Sequence, residues 1–406
     1  MVSSFPPSLD GIASYTFGLV MGLAMRGHVW EILVLSDSTV PEERRGLLGD
    51  SHVEVIKAWS STSIITSFRL WLRILNARPD IVHVQYEYSL YGRGMLSLIL
   101  PLTLLLIKLS RIPMLLTFHT VVPLHRLDRG FFERHGLGKR LVLLKRLFII
   151  NLTKLLGIVS NVIVVHVSSA REILARDYGF NRASIHVIPH GLKAPVNEPV
   201  TAQEAKRLTD LLDKVVILCF GFVRGGKGIE HAINAMATVA KLHPNAILAV
   251  VGGIPAASPE NIRYLGQLKD LVKGLSLQDN VRFVNRYLSE EEVWQYFSAA
   301  DIVIFPYVDE EIVGASGPLS TSIFFGKPIV ATRISRFTDE LTDRTNALLV
   351  DPNDAASLAG ALSTLMGSDD LRLKLSHELQ ELARERDWRS VAGKTLALYQ
   401  LLTLSR

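Results

Sequence analysis

Two cations and four glycines share the short stretch Val215–Glu230, which reads VVILCFGFVRGGKGIE. The cations are Arg224 and Lys227, and the glycines around them are Gly221, Gly225, Gly226 and Gly228. Glycine lets the backbone adopt positive φ and approach a ligand closely, while the two cations add positive charge. This pattern favours a diphosphate-binding turn. An ordinary turn with surface cations is the alternative, because neither G-x-G-x-x-G nor the P-loop pattern is present.

The elements on either side of the turn place it at a defined edge of a sheet. Val215–Phe220 is a continuous apolar run, which is typical of a strand buried on both faces of a parallel sheet. Ile229–Leu242 repeats apolar residues on one face and predicts a helix. The N-terminus of such a helix presents unpaired N–H groups and partial positive charge, so an anion is expected at the carboxyl edge of the sheet.

The whole chain alternates strand and helix patterns, which predicts an α/β protein with doubly wound parallel sheets. The strand candidates are Glu31–Leu35, Val53–Ala58, Ile81–Tyr86, Pro113–Phe118, Val162–Val167, Ser184–Ile188, Val215–Phe220, Ala246–Val251, Val281–Val284, Ile302–Pro306, Pro328–Ala331 and Ala347–Val350. The helix candidates include Ile12–Arg26, Ser63–Ala77, Ile229–Leu242, Ala355–Met366, Asp369–Arg386 and Trp388–Leu402. A helix pattern follows the start of the sequence almost at once. The first strand is therefore expected to be short, or to be cut by the chain start.

A length of 406 residues predicts two domains. The polar segment Lys193–Val200 contains two prolines and is the expected linker. We expect an N-terminal Rossmann-like domain over 1–192 and a C-terminal one over 193–380. Residues 381–406 are expected to form a helix that packs back on the N-terminal domain. Two such domains predict a ligand cleft between them.

The composition is globular, with 48% hydrophobic and 20% charged residues. Residues 1–195 carry 22 Lys+Arg against 13 Asp+Glu, whereas residues 196–406 carry 22 against 26. The basic half suits anionic lipid or a phosphorylated acceptor, and nucleic acid is not expected because no motif for it is present.

The lone Cys219 lies in an apolar strand and excludes a disulfide framework. Met95–Ile107 is too short to span a bilayer, and the start lacks signal-peptide features, so a cytoplasmic protein is expected.

Several stretches together resemble the retaining glycosyltransferases of family 4, which have the GT-B fold. In chain order they read SFPPSLDGIASYT, RGHVWEILVL, HVQYEY, TFHT, HVSSAREIL, VIPHGL, GFVRGGKGIEHAINAM, VRFVNRYLSEEEVWQYFSAADIVIFPY, ASGPLSTSIFFGKPIVAT and NALLVDPND. The resemblance runs from about Ser3 to about Arg389. It implies a nucleotide diphosphate-sugar donor held mainly by the C-terminal domain and an acceptor held mainly by the N-terminal domain. It also implies that neither a metal nor a cofactor is needed.

The resemblance assigns roles to four residues. Arg224 and Lys227 match the diphosphate-binding pair of the family. Gly11 matches a glycine that approaches the diphosphate from the other domain, although a turn glycine before a helix is the alternative. His119 ends the strand MLLTFH and matches a histidine near the transferred sugar. Its implied role is hydrogen bonding or backbone support near the reacting centre, not nucleophilic attack.

Polar residues alternate at the end of another strand candidate, HVQYE. His83, Gln85 and Glu87 occupy every second position, so they are expected on one face of the strand. They are candidate acceptor-binding residues. A polar strand terminus without a ligand is the alternative.

The donor loop departs from the family pattern, which has two glutamates eight positions apart, the second five residues before a glycine. Counting back from Gly326, those positions hold Val313 and Thr321. The loop reads EEIVGASGPLST over 310–321 and resembles a subgroup with an S-G-x-L loop. Glu311 is a candidate for a sugar hydroxyl, and the other candidate donor contacts are Ser316, Gly317, Leu319, Ser320 and Thr321, whose N–H and hydroxyl groups suit phosphate or ribose.

The expected function is metal-independent, retaining transfer of a sugar to a glycan, a lipid-linked or a small-molecule acceptor, as in polysaccharide biosynthesis. The resemblance implies front-face attack in which the leaving phosphate takes the proton of the acceptor. A nucleotide-sugar epimerase or hydrolase of the same fold is one alternative. A non-catalytic sugar- or membrane-binding protein is another, because the two glutamates are missing.

Lys139–Leu156 has the sequence KRLVLLKRLFIINLTKLL, in which cations alternate with leucine and isoleucine. This basic amphipathic segment predicts peripheral contact with an anionic membrane, near a lipid-linked acceptor. A solvated helix packed on the sheet is the alternative.

Overall fold

The computed structural model describes residues 1–8, 10–26, 30–37, 44–48, 51–60, 63, 65–88, 90–91, 99–134, 138, 140–192, 198–254, 259–308 and 311–404. Lys139, Glu310 and residues 193–197 of the expected linker lie outside these ranges. The chain divides into two compact units. The first comprises Met1–Gly191, Glu311–Ala315 and Glu385–Arg406, and the second comprises Leu192–Glu310 and Ser316–Arg384.

Helices and strands alternate along the described chain, as predicted. In order they are α1 (Gly11–Ala24), β1 (Glu31–Ser36), β2 (Arg44–Leu48), β3 (Ser51–Lys57), α2 (Thr66–Ala77), β4 (Val82–Tyr86), α3 (Ile99–Leu109), β5 (Met114–Phe118), β6 (Thr120–Val121), α4 (Arg129–Arg134), α5 (Val142–Val159), β7 (Val162–Val165), α6 (Ser168–Tyr178), β8 (Ile185–Val187), α7 (Ala202–Leu208), β9 (Val215–Phe220), α8 (Ile229–Leu242), β10 (Ala246–Val251), α9 (Pro259–Gly274), β11 (Val281–Val284), α10 (Glu290–Ala299), β12 (Ile302–Phe305), β13 (Val313–Gly314), α11 (Gly317–Phe325), β14 (Ile329–Thr332), α12 (Ser335–Thr338), β15 (Leu348–Val350), α13 (Ala355–Met366), α14 (Asp369–Glu385) and α15 (Trp388–Leu404).

The first unit contains two groups of strands joined by the start of the chain. One group has the order β1-β3-β2 and the other the order β4-β5-β7-β8. Val2 forms parallel bridges with Leu35 of β1 and Val84 of β4, and it donates its N–H to His83 O at 2.8 Å. The expected short first strand is thus a single bridged residue. Short β6 pairs with β13 in the antiparallel direction.

The second unit holds a six-stranded sheet in the order β11-β10-β9-β12-β14-β15, with every pair parallel. Its strands are short and apolar, and β9, β10, β12 and β14 are buried along nearly their whole length. This explains why the sequence shows continuous apolar runs instead of alternation. The chain winds outward from β9 in one direction and from β12 in the other. The edge between the carboxyl ends of β9 and β12 is the topological switch point, where open α/β sheets bind ligands.

The predicted doubly wound parallel class is confirmed, and most predicted strands and helices agree with the structure to within three residues. Sequence patterns did not reveal β2, which pairs antiparallel with β3. They also missed β6 and β13, because two-residue strands carry no periodicity. The C-terminal helix α15 lies in the first unit, where its apolar residues enter two of that unit's hydrophobic clusters. Among the described residues, no helix is both long enough and apolar enough to cross a membrane.

Candidate functional site

The turn after β9 meets the start of α11 at the switch point of the second sheet. A Cβ placed on Gly221 would lie 3.9 Å from Pro318, which is the second residue of α11, and 4.0 Å from Lys227 Nζ. It would also lie 4.0 Å from the hydroxyl of Tyr307, just after β12. The sequence separates these segments by up to about a hundred residues, and the parallel sheet brings them together at one edge.

Two glycines of this edge are required by the backbone around them. Gly228 has φ +65°, and a Cβ there would lie 1.8 Å from the carbonyl oxygen of Pro306 at the end of β12. Gly252 follows β10 with φ +143°, and its Cβ would lie 2.2 Å from Gly221 O. By contrast, a Cβ on Gly225 would meet nothing within 4 Å. These close contacts hold the turn against the ends of the neighbouring strands.

Lys227 is held by an aromatic ring. Its Nζ donates a hydrogen bond to the hydroxyl of Tyr307 at 2.5 Å and lies 3.8 Å from the centre of the same ring. Burial, and then the positive charges of Arg224 and Arg336, lower the pKa of Lys227 to about 7. Among the described groups that act on it, only Cys219 raises that pKa. A largely buried lysine whose pKa is lowered by two neighbouring cations favours an anionic ligand.

The start of α11 supplies backbone donors beside this cluster. Ser316 caps the helix by accepting a hydrogen bond from Leu319 N at 3.4 Å, and Gly317 is the first helical residue. The hydroxyl of Ser320 is buried and has no hydrogen-bond partner among the described residues. Thr321 donates its hydroxyl to Gly317 O at 3.1 Å. The predicted donor-loop residues from Ser316 to Thr321 therefore form the first turns of one helix near Lys227.

The other part of the donor loop belongs to the first unit. Val313 is buried and pairs with Val121, while Gly314 pairs with Thr120. A Cβ on Gly314 would lie 2.4 Å from the carbonyl oxygen of His119. Val313 therefore fills an apolar position in a strand pair, at the place where the family pattern has its first glutamate. Glu311 is half-buried in the same segment.

His119 lies in a chain of hydrogen bonds inside the first unit. Its Nε2 is 2.9 Å from Gln85 Oε1, and its Nδ1 is 3.3 Å from His166 Nε2. The Nδ1 of His166 is 3.0 Å from the carbonyl oxygen of Ile188. Burial, followed by the neighbouring histidines, holds the pKa of His119 well below its usual range and that of His166 at about 3. Both rings are therefore neutral at physiological pH.

His83 and Gln85 are interior residues of the same chain of contacts. Gln85 is fully buried, and its Nε2 lies 3.0 Å from His83 Nε2. His83 also lies 2.6 Å from the hydroxyl of Tyr399 and 2.8 Å from Thr117 Oγ1. Burial lowers the pKa of His83 to about 3. The structure thus brings His83, Gln85 and His119 together, with their side chains engaged by protein partners.

Glu87 stands apart from that chain. It follows the end of β4, is half-buried, and accepts hydrogen bonds from Thr120 Oγ1 at 2.6 Å and Tyr88 N at 3.1 Å. Burial raises its pKa, although both hydrogen bonds act in the opposite direction. Gly11 is the exposed first residue of α1, which Asp10 caps, and a Cβ there would meet nothing within 4 Å.

Sequence reasoning missed several residues of these two groups. Tyr307 and His166 each follow the end of a parallel strand, as His119 does, and this position is the sequence signal that could have found them. Arg336 follows β14 on the short helix α12. Tyr15 packs its ring between His119, at 4.8 Å, and His166, at 5.0 Å. Nothing in the local sequence of α1 indicates that contact.

Two family profiles match consecutive parts of the chain. Residues 9–194 match the profile described as Glycosyltransferase Family 4, and residues 202–386 match the profile described as Glycosyl transferases group 1. The chain belongs to glycosyltransferase family 4. The family that the sequence motifs resemble is thus confirmed, and both profiles agree with the division into two units.

The curated relatives of this family that match the chain are distant in sequence, with identities below 30%. A D-inositol 3-phosphate glycosyltransferase of Corynebacterium efficiens is 28% identical over 256 residues, which cover 61% of this chain and 58% of that protein. A mannosylfructose-phosphate synthase of Agrobacterium fabrum is 28% identical over 57% of this chain and 51% of that protein. The chain therefore spans less than two thirds of the length of the curated relatives it matches.

Solved structures establish the fold. HepE of Anabaena in complex with UDP superposes with a TM-score of 0.68 and 14% identity, covering 98% of each chain. Sucrose-phosphate synthase of Thermosynechococcus elongatus gives a TM-score of 0.69 and 19% identity, covering 98% of this chain and 94% of that one. The expected GT-B fold is confirmed. Among the described residues, no group of His, Cys, Asp and Glu is arranged to hold a metal ion.

Proposed function

We propose that this chain is a retaining glycosyltransferase that moves a sugar from a nucleotide diphosphate-sugar to a glycan, a lipid-linked or a small-molecule acceptor, without a metal ion. The observation that carries the proposal is the cation cluster at the switch point of the second sheet. There Lys227 stands over Tyr307, close to Arg224 and to the start of α11. A diphosphate fits this combination of charge and backbone donors.

The cluster is suited to stabilising a leaving group. Cleavage of the sugar–phosphate bond places negative charge on the departing diphosphate. Preorganised cations and N–H dipoles stabilise that charge more in the transition state than in the ground state. Arg224 and Lys227 supply the charge, and Ser316, Gly317 and Leu319 supply the helix start. With these cations in place, a divalent metal is not needed to neutralise the diphosphate. The leaving phosphate takes the proton of the acceptor.

His119 is proposed to act as a positioning residue near the transferred sugar. Both of its ring nitrogens have protein partners, and its backbone N–H is donated to Tyr86 O at 3.0 Å. Its ring therefore fixes the end of β5. Gly11 is proposed to approach the diphosphate, since its position leaves room for a ligand. Acceptor binding is proposed for the polar end of β4, with His83 and Gln85 as internal supports and Glu87 as the group nearest the surface.

The donor is proposed to be a nucleotide diphosphate-sugar, and UDP is the first nucleotide to test because HepE, a structural relative, binds UDP. Glu311, Ser320 and Thr321 are proposed sugar or ribose partners. The buried, unpartnered hydroxyl of Ser320 supports this for one of them. We further propose a peripheral location at the cytoplasmic membrane face, with contact through Lys139–Leu156.

A thermal-shift screen tests the donor proposal. UDP, GDP and ADP and their sugars are added to the purified chain, and the true nucleotide should raise the melting temperature with increasing concentration. The variant Arg224→Ala/Lys227→Ala should lose both this shift and sugar transfer while it keeps the ligand-free melting temperature. The matched control is Lys269→Ala/Lys273→Ala on the exposed side of α9, which should behave as the parent.

The same assay separates the competing functions. Sugar transfer that survives in the double variant would overturn the diphosphate assignment. Turnover of the donor at full rate without any acceptor would indicate a hydrolase or an epimerase instead. Turnover in excess EDTA tests metal independence, and NMR of the new glycosidic bond tests retention of the anomeric configuration.

A further inference from the structure

Three helices of the first unit form a layer on one side of a single core. Leu70 of α2, Leu104 of α3 and Leu156 of α5 are all fully buried in the same hydrophobic cluster. Trp71 of α2 donates its indole N–H to Ser110 after α3 at 2.9 Å. Since α2 contacts α3 and α3 contacts α5, their outer surfaces point away from the core on the same side.

The outer surface of this layer is unusually apolar. Phe68 on α2 is 53% exposed, Leu109 on α3 is 72% exposed, and Leu143 on α5 is 68% exposed. Leu105 of α3 and Ile158 of α5 are also exposed. Single exposed leucines are common in proteins, but several exposed apolar side chains on each of three neighbouring helices are characteristic of an interaction surface.

The same surface carries positive charge only. None of α2, α3 and α5 contains an aspartate or a glutamate. Each helix contributes at least one cation, among them Arg69, Arg73, Arg146 and Lys154 at exposed positions. The combination of apolar side chains with cations and no carboxylate is that of a surface which inserts shallowly among lipids and attracts their phosphates.

We propose that the outer faces of α2, α3 and α5 together dock on an anionic phospholipid bilayer. This inference deepens the membrane contact proposed above for Lys139–Leu156, because it assigns α2 and α3 to the same surface. The basic charge favours anionic lipid over a neutral one, and the breadth of three helices fits a planar surface better than a groove for one peptide. The basic excess of residues 1–195 then orients the first unit toward the membrane.

Co-sedimentation of the full chain with vesicles tests this surface. The vesicles are equimolar phosphatidylglycerol and phosphatidylcholine, with pure phosphatidylcholine for comparison. Binding is expected to the anionic vesicles and to weaken with salt. Arg69→Glu/Arg73→Glu in α2 and Leu105→Asp/Leu109→Asp in α3 should each reduce that binding by about tenfold or more.

The matched control is Leu373→Asp/Lys374→Glu in α14, which reverses an equally exposed apolar and basic pair in the second unit. It should bind vesicles as the parent does. Circular dichroism melting confirms that each variant is folded. Donor turnover with a water-soluble acceptor should be unchanged in all of them, so failure of the docking surface is distinguishable from failure of the proposed transferase activity.

Three outcomes would overturn the proposal. Parent protein that ignores anionic vesicles at low salt would remove the membrane contact altogether. Full binding by both the α2 and the α3 variants would restrict the contact to α5. A concentration-dependent dimer in light scattering that the same substitutions convert to a monomer would make the surface an interface between two copies of this chain.

Discussion

Lys227 is a largely buried lysine that packs against an aromatic ring at the proposed diphosphate site. Its ammonium group donates to the hydroxyl of Tyr307 and lies over the same ring, with Arg224 and Arg336 acting against its charge. Burial and these like charges hold its pKa at about 7, well below the usual value for lysine. A bound diphosphate would place negative charge next to the ammonium group and raise that pKa again.

This gives a pH-dependent prediction for nucleotide binding. Between pH 7 and 9 the free protein holds Lys227 largely neutral, so binding of UDP must take up a proton. The affinity should then fall by up to about tenfold per pH unit as the pH rises above 7. Titration calorimetry in two buffers of different ionisation enthalpy counts the proton. Lys227→Arg is the control, since a guanidinium stays charged. Equal proton uptake by both proteins would contradict the prediction.

Hydrogen bonds link Ile188, His166, His119 and Gln85 in series, here called the histidine chain. The donor and acceptor of each bond follow from the chemistry of the groups. The carbonyl of Ile188 can only accept, so His166 donates from Nδ1 and, being neutral, accepts at Nε2. His119 must then donate from Nδ1, which leaves its Nε2 as an acceptor. Because an unprotonated Nε2 can only accept a hydrogen bond, its partner must be the NH₂ group of Gln85 and not the amide oxygen. The amide is therefore satisfied when its carbonyl faces His83 and its NH₂ faces His119.

The predicted tautomers can be measured directly. His119 and His166 should carry the proton on Nδ1, whereas His83 should carry it on Nε2 and accept from the hydroxyl of Tyr399. Long-range ¹H–¹⁵N NMR spectra of histidine rings distinguish the two tautomers. None of the three rings should titrate between pH 5 and 8, because burial keeps each pKa low. Gln85→Leu should broaden or change only the His83 and His119 signals. A protonated Nε2 on His119 would refute this direction.

At the scale of single residues, strand ends were informative from the sequence. Arg224, Lys227 and His119 were predicted because each follows an apolar strand and matches a residue of the family that the sequence resembles. The partner of Lys227 was not, since a tyrosine about eighty positions away reaches it only through the order of the strands. The direction of the histidine chain depends on Ile188 and Gln85, which no pattern links in sequence.

At the scale of elements, glycines decide how the turn after β9 fits the sheet. From the sequence, all four glycines were expected to have the same role, namely to leave room for a ligand. The structure separates them, because Gly228 leaves room for the backbone at Pro306 while Gly225 faces open space. Continuous apolar strands and long amphipathic helices were predictable. Short pairs such as β6 with β13 were not, because their residues pair through tertiary contacts.

Substitution of Gly228 should therefore be far more damaging than substitution of Gly225. Gly228→Ala combines a positive φ with a Cβ placed against Pro306 O, so we expect a loss of about 2–4 kcal/mol in the free energy of unfolding. Gly225→Ala should change it by less than about 1 kcal/mol. Urea denaturation followed by fluorescence measures both. Equal stability of the two variants would show that the turn relaxes away from β12.

At the scale of the whole molecule, the two units have separate cores and opposite charge balance. Alternating strands and helices were enough to predict two α/β units, and the composition was enough to predict a basic first half. The sequence does not reveal how tightly α15 fits the first unit. A Cβ on Gly18 would lie 2.1 Å from the ring of Trp388, and one on Gly22 would lie 2.1 Å from the backbone oxygen of Trp388. Gly18 and Gly22 thus leave room for Trp388, and this close fit depends on contacts between residues near the two ends of the chain.

Trp388→Ala should consequently loosen the first unit and leave the second unchanged. The indole packs against Tyr15 at 5.2 Å and borders two hydrophobic clusters built only from first-unit residues. Its removal should cost about 3 kcal/mol of stability in that unit. Hydrogen exchange followed by mass spectrometry should show faster exchange in β1, β3, β5 and β7, and unaltered exchange in β9, β10 and β12.

Leu404→Ala provides the control for that experiment, because Leu404 lies at the end of the same helix but is 87% exposed. It should leave exchange in both units as in the parent. If Trp388→Ala accelerated exchange equally in the second sheet, the two units would unfold as one cooperative body. Faster exchange confined to the first unit would instead show that α15 stabilises its own unit, and that the cation cluster around Lys227 stays folded without it.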